Sequence, residues 1–289
     1  MASGIRKLAN LILYSSLWIS VCAAAQVQLT YDVTDIFSSV DAYTAFVLCA
    51  TLVLYSIHRV IGIRRASAFA HLGRFAVIKQ HKWHIVFYGC GGALASGYFA
   101  LHLPVRTLLL LSLPIAISGA YVLPLRRGMR RLRDLPLIKI FLIGASWSLI
   151  TTTVPLLHQG YDGAYLAVIF AERFLFVVGI TVPFDIRDMQ VDEQSNLRTL
   201  PHALGITRSK WLASGCVAMS LAVIGYLGSS GAYDQDFLLP AVIVYALAVV
   251  LIWISRPGMD DYFFSGLIDG LLLLLPFLYW IIAGHPRFF

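Results

Sequence analysis

Apolar runs of about 20 residues recur along almost the whole chain, and this constrains the fold more than any other feature. Nine such runs occupy roughly 8–27, 43–62, 83–102, 104–123, 137–157, 164–184, 210–229, 237–255 and 263–283. In helical conformation a run of that length crosses the hydrocarbon core of a bilayer, about 30 Å thick. Long unbroken runs differ from the roughly ten-residue alternating segments of a membrane β-barrel, so helices are predicted throughout. Of the 289 residues, 59% are hydrophobic and only 13% are charged, far from the balance of a soluble domain. The predicted class is all-α, a polytopic membrane protein of about nine transmembrane helices, with one domain over 1–289.

The net charge of +7 follows membrane topology and calls for no nucleic-acid partner. With the N-terminus inside, Arg6, Lys7, Arg256 and the basic residues of 59–82, 126–139 and 187–210 all fall on the cytoplasmic side. Only Arg106, Arg173 and Arg287 do not. Such basic loops favour the anionic leaflet of a cell inner or plasma membrane, and they place the working loops in the cytoplasm. Residues 28–42, with Asp32, Asp35 and Asp41, form an acidic segment on the outer side. The first 25 residues, with Arg6-Lys7, an apolar core and Cys22-Ala23-Ala24-Ala25, resemble a cleavable signal peptide. A retained first helix over 1–27 is the reading adopted, with cleavage left open. Four cysteines lie singly within apolar runs, as packing residues rather than a disulfide framework or a zinc site.

Three carboxylates close the sixth run in Pro183-Phe184-Asp185-Ile186-Arg187-Asp188-Met189-Gln190-Val191-Asp192. Asp185, Asp188 and Asp192 stand at i, i+3 and i+7, a spacing that gathers them on one helix face. Like charges gathered at a membrane boundary repel, and a divalent cation carrying a phosphorylated ligand offsets that repulsion. Hard carboxylate oxygens suit magnesium. The competing reading is a solvated acidic helix end that caps the span and does nothing further.

The acidic segment leads into Asn196, Leu197, Arg198, Thr199, Leu200, Pro201, His202, Ala203, Leu204 and Gly205. Asp-x-x-Asp-x-x-x-Asp followed by Thr-Leu-Pro-x-x-Leu-Gly resembles the second aspartate-rich motif of the UbiA-type intramembrane prenyltransferases. Tyr121-Val122-Leu123-Pro124-Leu125 before Arg126 and Arg127, and Lys139 leading into the next span, resemble a second stretch of that family. The resemblance implies a nine-helix fold. It also implies transfer of a prenyl group from a prenyl diphosphate to an aromatic or other hydrophobic acceptor, with magnesium. Asp185, Asp188 and Asp192 would then be the catalytic and metal-binding carboxylates. The implied substrate-binding residues are Tyr121, Arg126, Arg127, Lys139, Arg187, Asn196 and Arg198. One magnesium site is expected.

The family's first motif, an Asn-Asp-x-x-Asp at the end of the second span, is missing. Tyr55-Ser56-Ile57-His58-Arg59 stands there, and no carboxylate occurs between Asp41 and Asp134. His58 and Arg59, with Arg64 and Arg65, either take over diphosphate contacts or serve only as cytoplasmic-side topology charges. The basic run from Arg126 to Arg133 is equally suited to the leaflet surface. A catalytically decayed UbiA-fold lipid-binding or scaffold protein is the alternative, and a secondary transporter ranks below both.

Two other charged pairs stand apart. Glu172-Arg173 lies within the sixth run, and Glu172 is about 220° around the helix from Asp185. A structural ion pair with another helix is expected, a role in an acceptor pocket being the alternative. Asp260-Asp261 is expected to form a turn, or else to add oxygen ligands.

Overall fold

A computed structural model describes residues 12–13, 16–36, 39–65, 82–122, 137–194 and 197–284. Every described regular element is helical. In chain order these are α1 (Leu17–Val33), α2 (Ala42–Arg65), α3 (Lys82–Ala100), α4 (Val105–Val122), α5 (Lys139–Ser148) and α6 (Val154–His158). Then come α7 (Leu166–Gln194), α8 (Leu200–Leu204), α9 (Ile206–Ser229), α10 (Leu238–Ile254) and α11 (Leu271–Ile282). A π-helical turn, Leu149–Thr153, joins α5 to α6, and another, Tyr262–Ile268, precedes α11.

Each predicted apolar run overlaps a described helix, because in lipid the backbone must satisfy its own hydrogen bonds. Among the described residues, six helical stretches are long and apolar enough to cross a membrane. They are Ala42–Ile61, Lys139–His158, Leu166–Glu193, Ile206–Ser229, Gln235–Ile254 and Tyr262–Ile282, with a shorter apolar helix at Val105–Tyr121. The chain is a multi-pass all-α membrane protein.

Its internal contacts divide it into two compact units, Met1–Ala25 with Val40–Leu103, and Gln26–Ser39 with Pro104–Phe289. In the first, α2 packs along α3, and the backbone of Cys49 comes close beside Gly92. In the second, α7 lies between α5 and α9, with α10 against α9 and α11 against α10.

The sequence places residues 28–42 in an outer acidic segment, but α1 continues to Val33 and buries Gln26, Gln28, Thr30 and Asp32. Long-range partners make this possible. Gln26 Nε2 donates to the Leu272 carbonyl at 2.5 Å, and Thr30 Oγ1 to the Thr151 carbonyl at 2.7 Å. Trp280 Nε1 donates to Asp32 Oδ2 at 2.7 Å. A buried polar group is tolerated when it is hydrogen-bonded, as the side chains of Gln26, Thr30 and Asp32 are. Polarity ends an apolar run in the sequence, whereas the helix continues where the interior supplies partners.

The approach of α5 to α7 depends on Gly144. A Cβ built there would come 2.7 Å from Val178 Cγ2 and 3.1 Å from Phe174 Cδ2. Gly144→Val is expected to cost about 1–3 kcal/mol by overpacking, read as a lower Tm of the detergent-solubilised protein. The same approach brings the start of α5 to the acidic end of α7.

Candidate functional site

Lys139 opens α5 and is buried, at 8% exposure. Two local features set its position. Leu137 adopts a left-handed φ of 63°, uncommon for a branched residue, and its N–H donates to the Arg198 carbonyl at 3.2 Å. This bond ties the entry to α5 to the segment that follows α7. There, the Leu197 N–H closes the helix by donating to the Asp192 carbonyl at 2.8 Å.

Lys139 Nζ donates to Asp185 Oδ1 at 2.6 Å and lies 3.7 Å from Asp192 Oδ2. Both carboxylates are buried, at 1% and 4% exposure. Helix geometry explains the sharing. Seven residues make nearly two turns, so Asp192 stands over Asp185, whereas Asp188 is rotated by about 60° into the next sector. There Asp188 meets Arg187 instead. Arg187 Nε donates to Asp188 Oδ1 at 2.9 Å and Nη2 to Oδ2 at 3.1 Å, a two-point contact of the kind arginine favours.

Arg187 is itself braced. Its Nη1 donates to Asp261 Oδ1 at 2.9 Å, and its guanidinium lies over the Phe184 and Phe264 rings at 5.1 and 5.3 Å. Phe264 belongs to the π-helical turn before α11, which follows Asp261 directly. Asp260 makes the expected turn, its Oδ1 accepting from the Tyr262 N–H at 3.1 Å, while Asp261 reaches into the cluster. Nothing in the sequence singled out the Asp261–Arg187 contact, which spans 74 positions. A carboxylate ending a loop beside an aromatic turn carries no spacing signature.

The remaining predicted residues divide clearly. Tyr121 is half-buried at the end of α4, and Arg198 is exposed just before Thr199. Arg126, Arg127 and Asn196 lie outside the described residues. His58 and Arg59 belong to the first unit, where Arg59 Nη2 donates to the Leu13 carbonyl at 2.7 Å. The Thr-Leu-Pro-x-x-Leu-Gly stretch folds as α8, with Pro201 in its first turn and Gly205 ending it at φ 81°, a conformation that suits glycine.

Glu172 and Arg173 form a separate buried network on α7, at 0% and 1% exposure. Tyr245 donates to Glu172 Oε1 at 2.7 Å and Tyr233 to Oε2 at 3.4 Å, while Ser220 donates to the Glu172 backbone carbonyl at 2.7 Å. Burial, together with the Glu172 charge beside it, raises the Tyr233 hydroxyl well above its ordinary value, so it remains a donor. Arg173 donates to the Gln26 side-chain oxygen and lies 3.6 Å from Glu172. The expected ion pair with another helix is thus a pairing of neighbours. Hydroxyls and an amide make the links to other elements.

Magnesium can be weighed against these donors. Among the described residues, no group of three or more His, Cys, Asp or Glu side chains is gathered so that it could hold a metal ion as it stands. The donor chemistry does suit the ion. Asp185, Asp188, Asp192 and Asp261 supply hard carboxylate oxygens, with Lys139 and Arg187 among them.

No protein-family model and no curated protein matches the chain. Solved structures do. One is the apo structure of a UbiA homologue from Aeropyrum pernix K1, with TM-score 0.64 and 14% identity over 94% of this chain and 96% of that one. Another is a UbiA homologue from Archaeoglobus fulgidus bound to GPP and Mg2+, with TM-score 0.55 and 13% identity over 93% of this chain and 98% of that one. A third is a digeranylgeranylglyceryl phosphate synthase, with TM-score 0.55 and 12% identity over 96% of this chain and 99% of that one. Across nearly its whole length, this chain has the fold of the UbiA homologues.

Proposed function

We propose that the protein is a UbiA-type intramembrane prenyltransferase, acting on a prenyl diphosphate and a hydrophobic acceptor at the cytoplasmic membrane face. One observation carries the proposal. In this fold, the acidic end of α7 buries Asp185 and Asp192 against Lys139 and holds Asp188 against Arg187. Homologues of the same fold are known bound to GPP or DMAPP with Mg2+.

Asp185, Asp188 and Asp192 would hold magnesium here, where the ion supplies charge neutralisation for a diphosphate leaving group. Lys139 and Arg187 supply donors to the same oxygens as the carbon–oxygen bond breaks and the diphosphate departs with the bonding electrons. The allylic carbon then bonds to the acceptor, which loses a proton. Tyr121, Arg126, Arg127, Asn196 and Arg198 are assigned to the substrate region on their sequence positions. His58 and Arg59 are assigned the role of the missing first motif.

A second reading, a UbiA-fold lipid-binding or scaffold protein without turnover, has one observation in its favour: both cations of the cluster already hold carboxylates. The two readings separate in one assay. Purified protein is incubated with radiolabelled farnesyl or geranylgeranyl diphosphate, Mg2+ and a membrane lipid extract, and prenylated product and released diphosphate are counted. The enzyme reading expects both, with loss of roughly a hundredfold or more in Asp188→Ala. Binding of the diphosphate without release of product favours the second reading.

A further inference from the structure

We infer that Lys139 is an exchangeable counter-ion. Its ammonium holds the place between Asp185 and Asp192 until a metal-bound diphosphate arrives, and then turns from the carboxylates to the phosphate oxygens. This rests on the diphosphate-binding reading above and specifies how that site is loaded.

Three observations carry it. First, the ammonium stands 2.6 Å from Asp185 and 3.7 Å from Asp192, with the three side chains at 10%, 2% and 6% exposure. A divalent ion held by the same two carboxylates would compete with this ammonium, by charge and for the same oxygens. Second, Arg187 contacts both oxygens of Asp188, whereas Asp185 and Asp192 share Lys139. Third, the backbone of Lys139 is anchored on both sides, so any change of partner falls to its long, flexible stem. The Leu137–Arg198 bond anchors the chain before it, and the close contact of Gly144 with α7 anchors the helix after it.

Lysine suits the task, being a compact charge with three donors on a flexible stem, whereas an arginine fork is committed to a fixed geometry. Metal and ammonium therefore oppose each other in the empty site. Once diphosphate is present, both have oxygen partners and they cooperate. A residue that only stabilised the fold would show no such change of sign.

The test uses the full chain in detergent micelles. Mn2+ binding is followed by electron paramagnetic resonance, and inorganic pyrophosphate binding at saturating Mn2+ by calorimetry. Without pyrophosphate, Lys139→Met is expected to bind Mn2+ roughly ten- to a hundredfold more tightly than wild type, the usual range for coupling between ligands. Pyrophosphate affinity should fall by a similar factor in the same variant. Lys139→Arg should keep the weak metal affinity of wild type. Lys139→Gln, which retains a donor toward Asp185, gives the same comparison if the methionine variant does not fold. Equal Mn2+ affinity in wild type and the neutral variants overturns the exchange and leaves the diphosphate reading standing. Failure of pyrophosphate to bind any of the proteins removes that reading, and the exchange with it.

Discussion

Replacing Asp185 by Asn should abolish the proposed prenyl transfer and also weaken the folded protein. Asp185 is the carboxylate in direct contact with Lys139, and it is almost wholly buried. The isosteric amide keeps the volume and an acceptor oxygen but removes the negative charge. Asp192, at 3.7 Å, is then the carboxylate paired with the ammonium. Breaking one side of a buried ion pair typically costs about 3–5 kcal/mol, because the stranded charge keeps its desolvation penalty. Retention of Asp192 as a partner places the expected loss at the lower end of that range. The check is a thermal melt in detergent alongside the radiolabel assay. A variant that melts like wild type would show that Lys139 and Asp185 are not paired in the folded protein.

The second large effect is expected far from the acidic cluster. Glu172→Leu removes the side-chain acceptor of the Tyr245 and Tyr233 hydroxyls and the charge nearest Arg173, deep in the second unit. Arg173 is 1% exposed, and its Nη2 has no hydrogen-bond partner even with Glu172 in place. Without Glu172, an arginine charge is left inside a membrane-spanning segment with a glutamine as its main support. A loss of about 3 kcal/mol or more in stability is expected, with much lower yield of folded protein. The fraction that folds should keep wild-type pyrophosphate affinity, because no described contact links this network to Lys139 or Arg187. Pyrophosphate titration of that fraction distinguishes a structural network from a substrate pocket: an affinity that falls with Glu172→Leu would assign the network to the site.

The helices were legible because lipid imposes one rule on backbone and side chains alike, and the apolar runs record it. The acidic helix end was legible for a similar reason, since a fixed periodicity sets which residues can meet. Seven positions bring Asp192 over Asp185 whatever surrounds them. What could not be read was choice of partner. Lys139 stands 46 positions from Asp185, and its basic charge suits a phosphate as well as a carboxylate. Asp188 was expected to share a face with its two companions, yet a neighbour in sequence holds it, because a long arginine side chain folds back across a single step. The end of α1 escaped for the converse reason. Its glutamines and aspartate look like surface residues until Leu272 and Trp280 are brought to them from the far end of the chain.

The wide turn at Leu149–Thr153 has a consequence for how this span is tuned. An ordinary helix fixes the angular offset between its two ends by length alone, so any shift that suits one end disturbs the other. An extra residue accommodated midway breaks that rigid link. The Lys139 end keeps its bearing on the aspartates, while the His158 end independently meets Thr107, with His158 Nδ1 2.8 Å from the Thr107 hydroxyl. The two half-length pieces can therefore take their bearings separately, so a shift at the Thr107 contact need not move Lys139.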